Sequence, residues 1–93
     1  DVFENGSGKK KRVGLNPSGI SINPLNSDMY ITDGRNSKLL ITDAAGTVKK
    51  LYQLNTKEFA QPEGITFNSA GDLFISNEGV KGSGNILQVK IDP

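Results

Sequence analysis

The residues PSGISIN, at positions 17–23, recur almost unchanged as PEGITFN at positions 62–68. The second copy begins 45 residues after the first. Another pair keeps almost the same spacing, since DMYITDG at 28–34 returns as DLFISNE at 72–78. Apolar residues alternate with polar ones in each copy, which is the pattern of a β-strand with one buried face. The chain therefore contains an internal repeat built from short β-strands.

A repeat of forty-odd residues that contains four strands is typical of one blade of a β-propeller. Clusters of Gly, Asn, Asp and Ser supply the turns between the strands. The pattern predicts seven strands, at residues 19–23, 28–32, 38–42, 47–54, 64–68, 72–76 and 86–91. We therefore predict an all-β fragment of a β-propeller, with about two four-stranded antiparallel blades. No helix is expected beyond one short turn at 56–60, which the Pro at 62 follows.

The repeat divides the chain into three parts. Residues 16–61 are predicted to form a complete blade, and residues 62–93 the first three strands of the next blade. Residues 1–15 are predicted to be a stray outer strand of a neighbouring blade, because Lys9–Leu15 resembles the outer strand at 47–54 and follows hairpin-turn residues at Glu4–Gly8. A closed propeller needs about four to eight blades. We therefore expect either missing blades from a longer protein or a homo-oligomer of this chain.

The alternation also predicts a core of apolar side chains within and between the blades. Its members are Ile20, Ile22, Ile31, Leu39, Ile41, Ile65, Phe67, Phe74, Leu87 and Val89. Two blades alone leave lateral apolar faces and open strand edges exposed to water. The sequence accordingly predicts a stable oligomer or marginal stability of the isolated chain.

Composition excludes several classes of function for this segment. Eleven basic and ten acidic side chains give a net charge of +1, so no long-range field favours nucleic acid or an anionic membrane as a partner. The only charge run, Lys9–Arg12, fits an outer edge strand that is protected against edge pairing, as Lys49 and Lys50 do in the complete blade. The segment has no histidine, which excludes histidine-based triads and histidine-ligated zinc within it. It has no cysteine either, so disulfides give no information on the compartment.

The sequences QPEGITFNSAGDLFISNEG at 61–79 and NPSGISINPLNSDMYITDG at 16–34 carry a family resemblance. They resemble six-bladed propellers of the NHL and gluconolactonase-like superfamily, and are most similar to the bacterial SdiA-regulated family, over about residues 15–92. The resemblance implies an extracytoplasmic location, periplasmic or secreted. In the gluconolactonase branch the residue between Pro and Gly faces the central channel and can bind a divalent cation.

The resemblance makes Glu63 a candidate Ca²⁺ ligand, since Glu63 lies between Pro62 and Gly64. Its counterpart in the first copy is Ser18, and a neutral hydroxyl is a poor calcium ligand. Asp33 and Asn77 end the second strands at equivalent places and complete the candidate metal set. The alternative is that Asp33 and Asn77 cap the turns that follow these strands, and that Glu63 faces bulk solvent.

Three further residues are candidates for ligand binding. Glu78 stands where the first copy has Gly34, a position at which a turn does not require Glu. Arg35 lies in the turn after Asp33. Lys81 lies in a glycine-rich loop that suits phosphate, although no helix follows and the spacing fits no nucleotide fingerprint. A mobile loop between strands is the alternative for this segment.

These observations favour a non-enzymatic propeller scaffold without a cofactor, which presents a small-molecule- or protein-binding surface at the channel mouth. The alternative is a Ca²⁺-dependent, lactonase-like hydrolase in which Glu63 supplies one metal ligand and missing blades supply the others. RNA binding, known for some NHL domains, is disfavoured by the balanced charge.

Overall fold

The computed structural model describes residues 14–79 and 84–91, together with the backbone of two short strands near the start of the chain. The fold is all-β in these residues, and none of them belongs to a helix that could cross a membrane. The strands are β1 (Val2–Glu4), β2 (Lys10–Arg12), β3 (Pro17–Ile22), β4 (Met29–Asp33), β5 (Lys38–Thr42), β6 (Val48–Gln53), β7 (Pro62–Phe67), β8 (Leu73–Asn77) and β9 (Asn85–Val89).

The described strands form three antiparallel sheets, and within each sheet the strands lie in the order of the sequence. One sheet has the order β3-β4-β5-β6, another has β7-β8-β9, and β1 pairs with β2. All seven strands predicted from the sequence are present, with ends within two residues of the predicted ones. β2 falls inside the predicted stray strand, whereas the predicted hairpin residues 5–8 lie outside the described residues. The short turn predicted at 56–60 is also present, where Phe59 N–H donates to Asn55 O at 2.7 Å.

The sequence repeat is also a structural repeat. In the four-stranded sheet Pro17 pairs with Asp33 and Gly19 with Thr32, with a shift of register between them. The three-stranded sheet has the same irregularity, because Pro62 pairs with Asn77 and Gly64 with Ser76. Further along, Ile31 pairs with Leu40 and Ile75 with Leu87, which makes Leu40 and Leu87 equivalent. The two sheets therefore correspond position by position.

The two sheets pack face to face, and their first strands, β3 and β7, lie against each other. The core between them contains Tyr30, Leu39, Ile41, Leu54, Phe59, Leu73 and Ile75, with Ile65, Phe67, Leu87 and Val89 packed against it. The rings of Tyr30 and Phe67 meet edge to face with centroids 4.8 Å apart, a geometry that aromatic quadrupoles favour. Burial of this core provides the main stabilisation of the stacked pair.

The sequence-based core prediction is correct in part. Leu39 and Ile41 are buried, but Ile20 and Ile22 are 62% and 52% exposed, so their assignment to the core was wrong. Ile65, Phe67, Leu87 and Val89 are half-buried and pack against the core, as predicted. Ile31 and Phe74 are half-buried but do not belong to this core, so their assignment to it was also wrong. The physical reason is that equivalent positions in stacked sheets point in the same direction. Ile65 and Phe67 point toward the four-stranded sheet, so their equivalents Ile20 and Ile22 point away from the three-stranded one.

Candidate functional site

The candidate site residues come from one end of the two stacked sheets, which we call the strand-entry end because β3 and β7 begin there. Antiparallel pairing brings the end of β4 to the start of β3, and the end of β8 to the start of β7. Asp33, Arg35, Asn77, Glu78 and Glu63 therefore all belong to this end of the fold. Lys81, the remaining candidate, lies outside the described residues.

Asp33 is buried, with 1% of its surface exposed, and its carboxylate is occupied by its own turn. Oδ1 accepts the backbone N–H groups of Arg35 at 3.0 Å and Asn36 at 2.9 Å. Oδ2 accepts the side-chain amide of Asn36 at 3.0 Å and the N–H of Asn16 at 3.3 Å. Burial alone would raise the pKa of Asp33, but the bonds from Asn36, Asn16 and Arg35 outweigh it and hold the pKa below the ordinary value of 3.8. Asp33 thus caps the turn and fixes the chain that enters β3.

The lowered pKa of Asp33 implies that the stability of the fold depends on pH in the acidic range. A carboxyl whose pKa is lower in the folded state stabilises the fold above its unfolded value, near 3.8, and this stability is lost as the pH falls through the folded value. Asp33→Asn should therefore be less stable than wild type at neutral pH, and the difference should shrink as the solution is acidified below pH 4. Urea titrations of both proteins at a series of pH values measure this difference. A difference that stays constant down to pH 2 would show that the Asp33 charge does not stabilise the turn.

Asn77 holds the equivalent place in the second copy but is bonded differently. Its side-chain nitrogen donates to Glu58 O at 3.0 Å and to Asn85 Oδ1 at 2.9 Å, which ties β8 to the short turn before β7 and to the start of β9. Its Oδ1 is buried and has no hydrogen-bond partner among the described residues. The capping interpretation of the sequence describes Asp33 well, whereas Asn77 links neighbouring segments.

Ser18 and Glu63 occupy equivalent positions and do different things. The Ser18 hydroxyl donates to Pro62 O at 2.7 Å and lies 3.0 Å from Thr32 Oγ1, so it joins the two sheets. The Glu63 side chain is exposed, and its backbone oxygen lies close to β3, at the Gly19 position. The sequence singled out Ser18 only as a poor metal ligand and gave no signal of its bridging role.

The exposed polar side chains at the strand-entry end are held on ordered backbone. Glu78 N–H donates to Gln61 O at 3.0 Å, and the N–H of Gly34 donates to Asn16 O at 3.2 Å. Glu63, Glu78 and Arg35 themselves are exposed. Within the part of the chain that the structure describes, no group of three or more His, Cys, Asp or Glu side chains is placed to hold a metal ion. This end offers hydrogen bonding and charge pairing from two carboxylates and one guanidinium.

Two clefts elsewhere in the fold were not anticipated from the sequence. One, of about 450 Å³, lies between the sheets near Tyr30 and Phe67, with Asp72 and Lys90 at its walls. The other, of about 370 Å³, lies beside β6 and is lined by Tyr52, Ile41 and Lys49 among others. Lys49 Nζ lies 2.7 Å from Asp28 Oδ2, and this hydrogen bond raises the pKa of Lys49. No short motif marks these residues, because they are brought together by strand register and sheet stacking.

Comparison of the chain with models of protein families, with curated proteins and with solved structures finds no match.

Proposed function

We propose that the chain forms two consecutive blade units of a β-propeller and acts as a non-enzymatic scaffold that binds a ligand at the strand-entry end. The observation that carries the proposal is the contact between β3 and β7, the first strands of two equivalent antiparallel sheets. In a propeller the blades are four-stranded sheets arranged around a central channel. First strands that lie side by side are the arrangement expected next to that channel.

The chemistry of the ligand follows from the exposed groups at this end. Glu63 and Glu78 offer carboxylates and Arg35 offers a guanidinium, all on backbone that Asp33, Asn77 and neighbouring hydrogen bonds hold in place. A small polar molecule or a protein segment that carries both a cationic and an anionic group would complement them. The net charge of +1 supports neither a nucleic acid nor a membrane surface as the partner.

Two observations favour this scaffold over the calcium-dependent hydrolase. The Asp33 carboxylate already accepts four N–H groups, and Ca²⁺ ligation would have to displace them. Asn77 contributes a neutral amide oxygen, which leaves Glu63 as the one uncommitted carboxylate of the predicted metal set. One carboxylate with neutral oxygens is expected to bind Ca²⁺ in about the millimolar range or more weakly. We also propose that the chain belongs to the NHL or SdiA-regulated family and that it is extracytoplasmic. Both proposals rest on the resemblance of the repeated Pro-x-Gly sequences.

One NMR experiment tests the proposal. Amide spectra of the ¹⁵N-labelled protein are recorded during titration with L-arginine, CaCl₂ and glucono-δ-lactone, for wild type and for Glu63→Gln. We expect L-arginine to shift amides at 16–19, 34–36 and 61–64, with smaller shifts in Glu63→Gln because a carboxylate partner is lost. Ca²⁺ should bind no tighter than about millimolar, and the lactone should hydrolyse at the rate seen in buffer.

Two results would contradict the scaffold proposal. Micromolar Ca²⁺ binding that Glu63→Gln abolishes, together with faster lactone hydrolysis, would establish the hydrolase instead. L-Arginine shifts confined to the distant cleft near Asp72 and Lys90 would place the binding site at the wrong end.

A further inference from the structure

The four-stranded sheet presents an apolar face away from the other sheet. We call it the outer face, and its members are Ile20, Ile22, Met29, Ile31, Leu40 and Leu51. Ile20 is 62% exposed, Ile22 52% and Leu51 47%, whereas Met29 and Ile31 are half-buried and Leu40 is buried. An apolar surface of this kind on neighbouring strands is typical of an interaction site.

The equivalent face of the three-stranded sheet is already packed within this molecule. Strand register relates Ile20 to Ile65, Ile22 to Phe67, Met29 to Leu73, Ile31 to Ile75 and Leu40 to Leu87. These five counterparts lie in or against the core between the two sheets. The outer face therefore has the composition and the strand geometry of a face that the fold buries elsewhere.

The three-stranded sheet has its own unpacked side, which we call the open face. Its members are Gly64, Thr66, Phe74, Ser76 and Ile86, which line a shallow groove of about 290 Å³ with Ile65. Their counterparts in the four-stranded sheet are Gly19, Ser21, Tyr30, Thr32 and Leu39, on the face that receives the three-stranded sheet. Each pair matches in chemistry: glycine with glycine, hydroxyl with hydroxyl, aromatic with aromatic, and aliphatic with aliphatic.

We propose that the outer face binds the open face of a second copy of this chain, and so repeats between molecules the packing seen between the two sheets. The outer face and the open face resemble the two surfaces that pack together between the sheets, and they lie on opposite sides of the molecule. The six apolar residues named for the outer face and the five residues named for the open face are uncharged, although Lys38 lies on the same side of β5 as Leu40. A contact between two different faces is heterologous, and it generates a ring or an open array of copies.

Two positions depart from the internal interface. On the open face Gln88, which pairs with Phe74, takes the place of the buried core residue Ile41, which pairs with Tyr30.

The other departure concerns Ser18. Within the molecule the Ser18 hydroxyl donates to Pro62 O, whereas the equivalent groups between copies are the Glu63 carboxylate and the carbonyl of Pro17. A carboxylate has no proton to donate to that carbonyl. Glu63→Ser restores the donor and is therefore expected to strengthen the association.

Sedimentation velocity over a range of protein concentrations, without added ligand, tests the proposal. Wild type should form larger species as the concentration rises. Ile20→Lys and Ile86→Lys, which place a charge on the outer and open faces respectively, should each remain monomeric. An equimolar mixture of the two variants should form a one-to-one dimer, because each retains the face that the other has lost. Ala45→Lys adds the same charge at an exposed turn and should behave as wild type.

Several results would overturn the proposal. A wild type that stays monomeric at all concentrations, or a mixture that shows no dimer although both variants are folded by circular dichroism, would contradict it. A dimer of Ile86→Lys alone would indicate a symmetric contact between two outer faces. If a lysine variant fails to fold, Ile20→Thr and Ile86→Thr replace the pair, since Thr favours strands and still weakens an apolar contact. Unchanged or weaker association of Glu63→Ser would show that the copies do not stack in the proposed register.

Discussion

Ile75→Ala should lower the free energy of unfolding by about 2–5 kcal/mol. Ile75 lies in the middle of β8, is 0% exposed and belongs to the core between the sheets. Its truncation removes apolar contacts and leaves a cavity that a sheet-to-sheet interface cannot easily close. Urea denaturation followed by circular dichroism measures the loss.

Ile20→Ala is the matched control, because it removes the same atoms from a strand of the equivalent sheet. Ile20 is 62% exposed, so we expect a change of about 0.5 kcal/mol or less at concentrations where the chain is monomeric. Equal losses for Ile75→Ala and Ile20→Ala would show that the sheets do not stack through the face that contains Ile75.

Gly19→Ala should destabilise the protein by about 1–3 kcal/mol through a backbone clash. A Cβ at this position would lie 2.7 Å from the backbone oxygen of Glu63, 3.1 Å from Thr32 Oγ1 and 3.3 Å from the Cα of Gly64. The backbone of β7 cannot move away without opening the interface between the first strands. Glycine is therefore required at residue 19 by the close approach of two strands.

Gly14→Ala is the control for the backbone effect of this substitution. A Cβ at residue 14 would meet nothing within 4 Å, so Gly14→Ala should leave the stability unchanged or raise it slightly. The same denaturation curves compare the two variants. If Gly19→Ala is as stable as Gly14→Ala, β3 and β7 do not approach each other as described.

The strands were predictable because each carries a local signal. The alternation in 28–32 and the Asx and Gly residues on both sides of it are enough to define β4, and the repeat at 72–76 supports β8 in the same way. The sequence did not predict which side chains of each strand point toward the other sheet. Alternation shows that a strand has an apolar face, but it does not show which neighbouring sheet covers that face. Ile20 and Ile22 were misassigned for this reason, although their counterparts Ile65 and Phe67 pack against the core.

At the candidate site, too, some features were predictable from the sequence and others were not. The sequence placed Asp33 and Asn77 at equivalent turns and left metal binding and turn capping as alternatives. Which donors each side chain meets depends on the turn that follows, and the two turns differ in length and composition. The hydrogen bond from Ser18 to Pro62 O and the two clefts arise from contacts between separate sheets, which no local pattern encodes.

The two copies of the repeat form equivalent sheets that are stacked through their first strands. A nuclear Overhauser effect between the Hα atoms of Gly19 and Gly64 tests this stacking, since these residues lie in different sheets and in close contact. We expect a strong cross-peak in dilute, monomeric protein, alongside the cross-peaks that arise from the pairing of Gly19 with Thr32 and of Gly64 with Ser76. Intact cross-peaks within both sheets with none between Gly19 and Gly64 would contradict it.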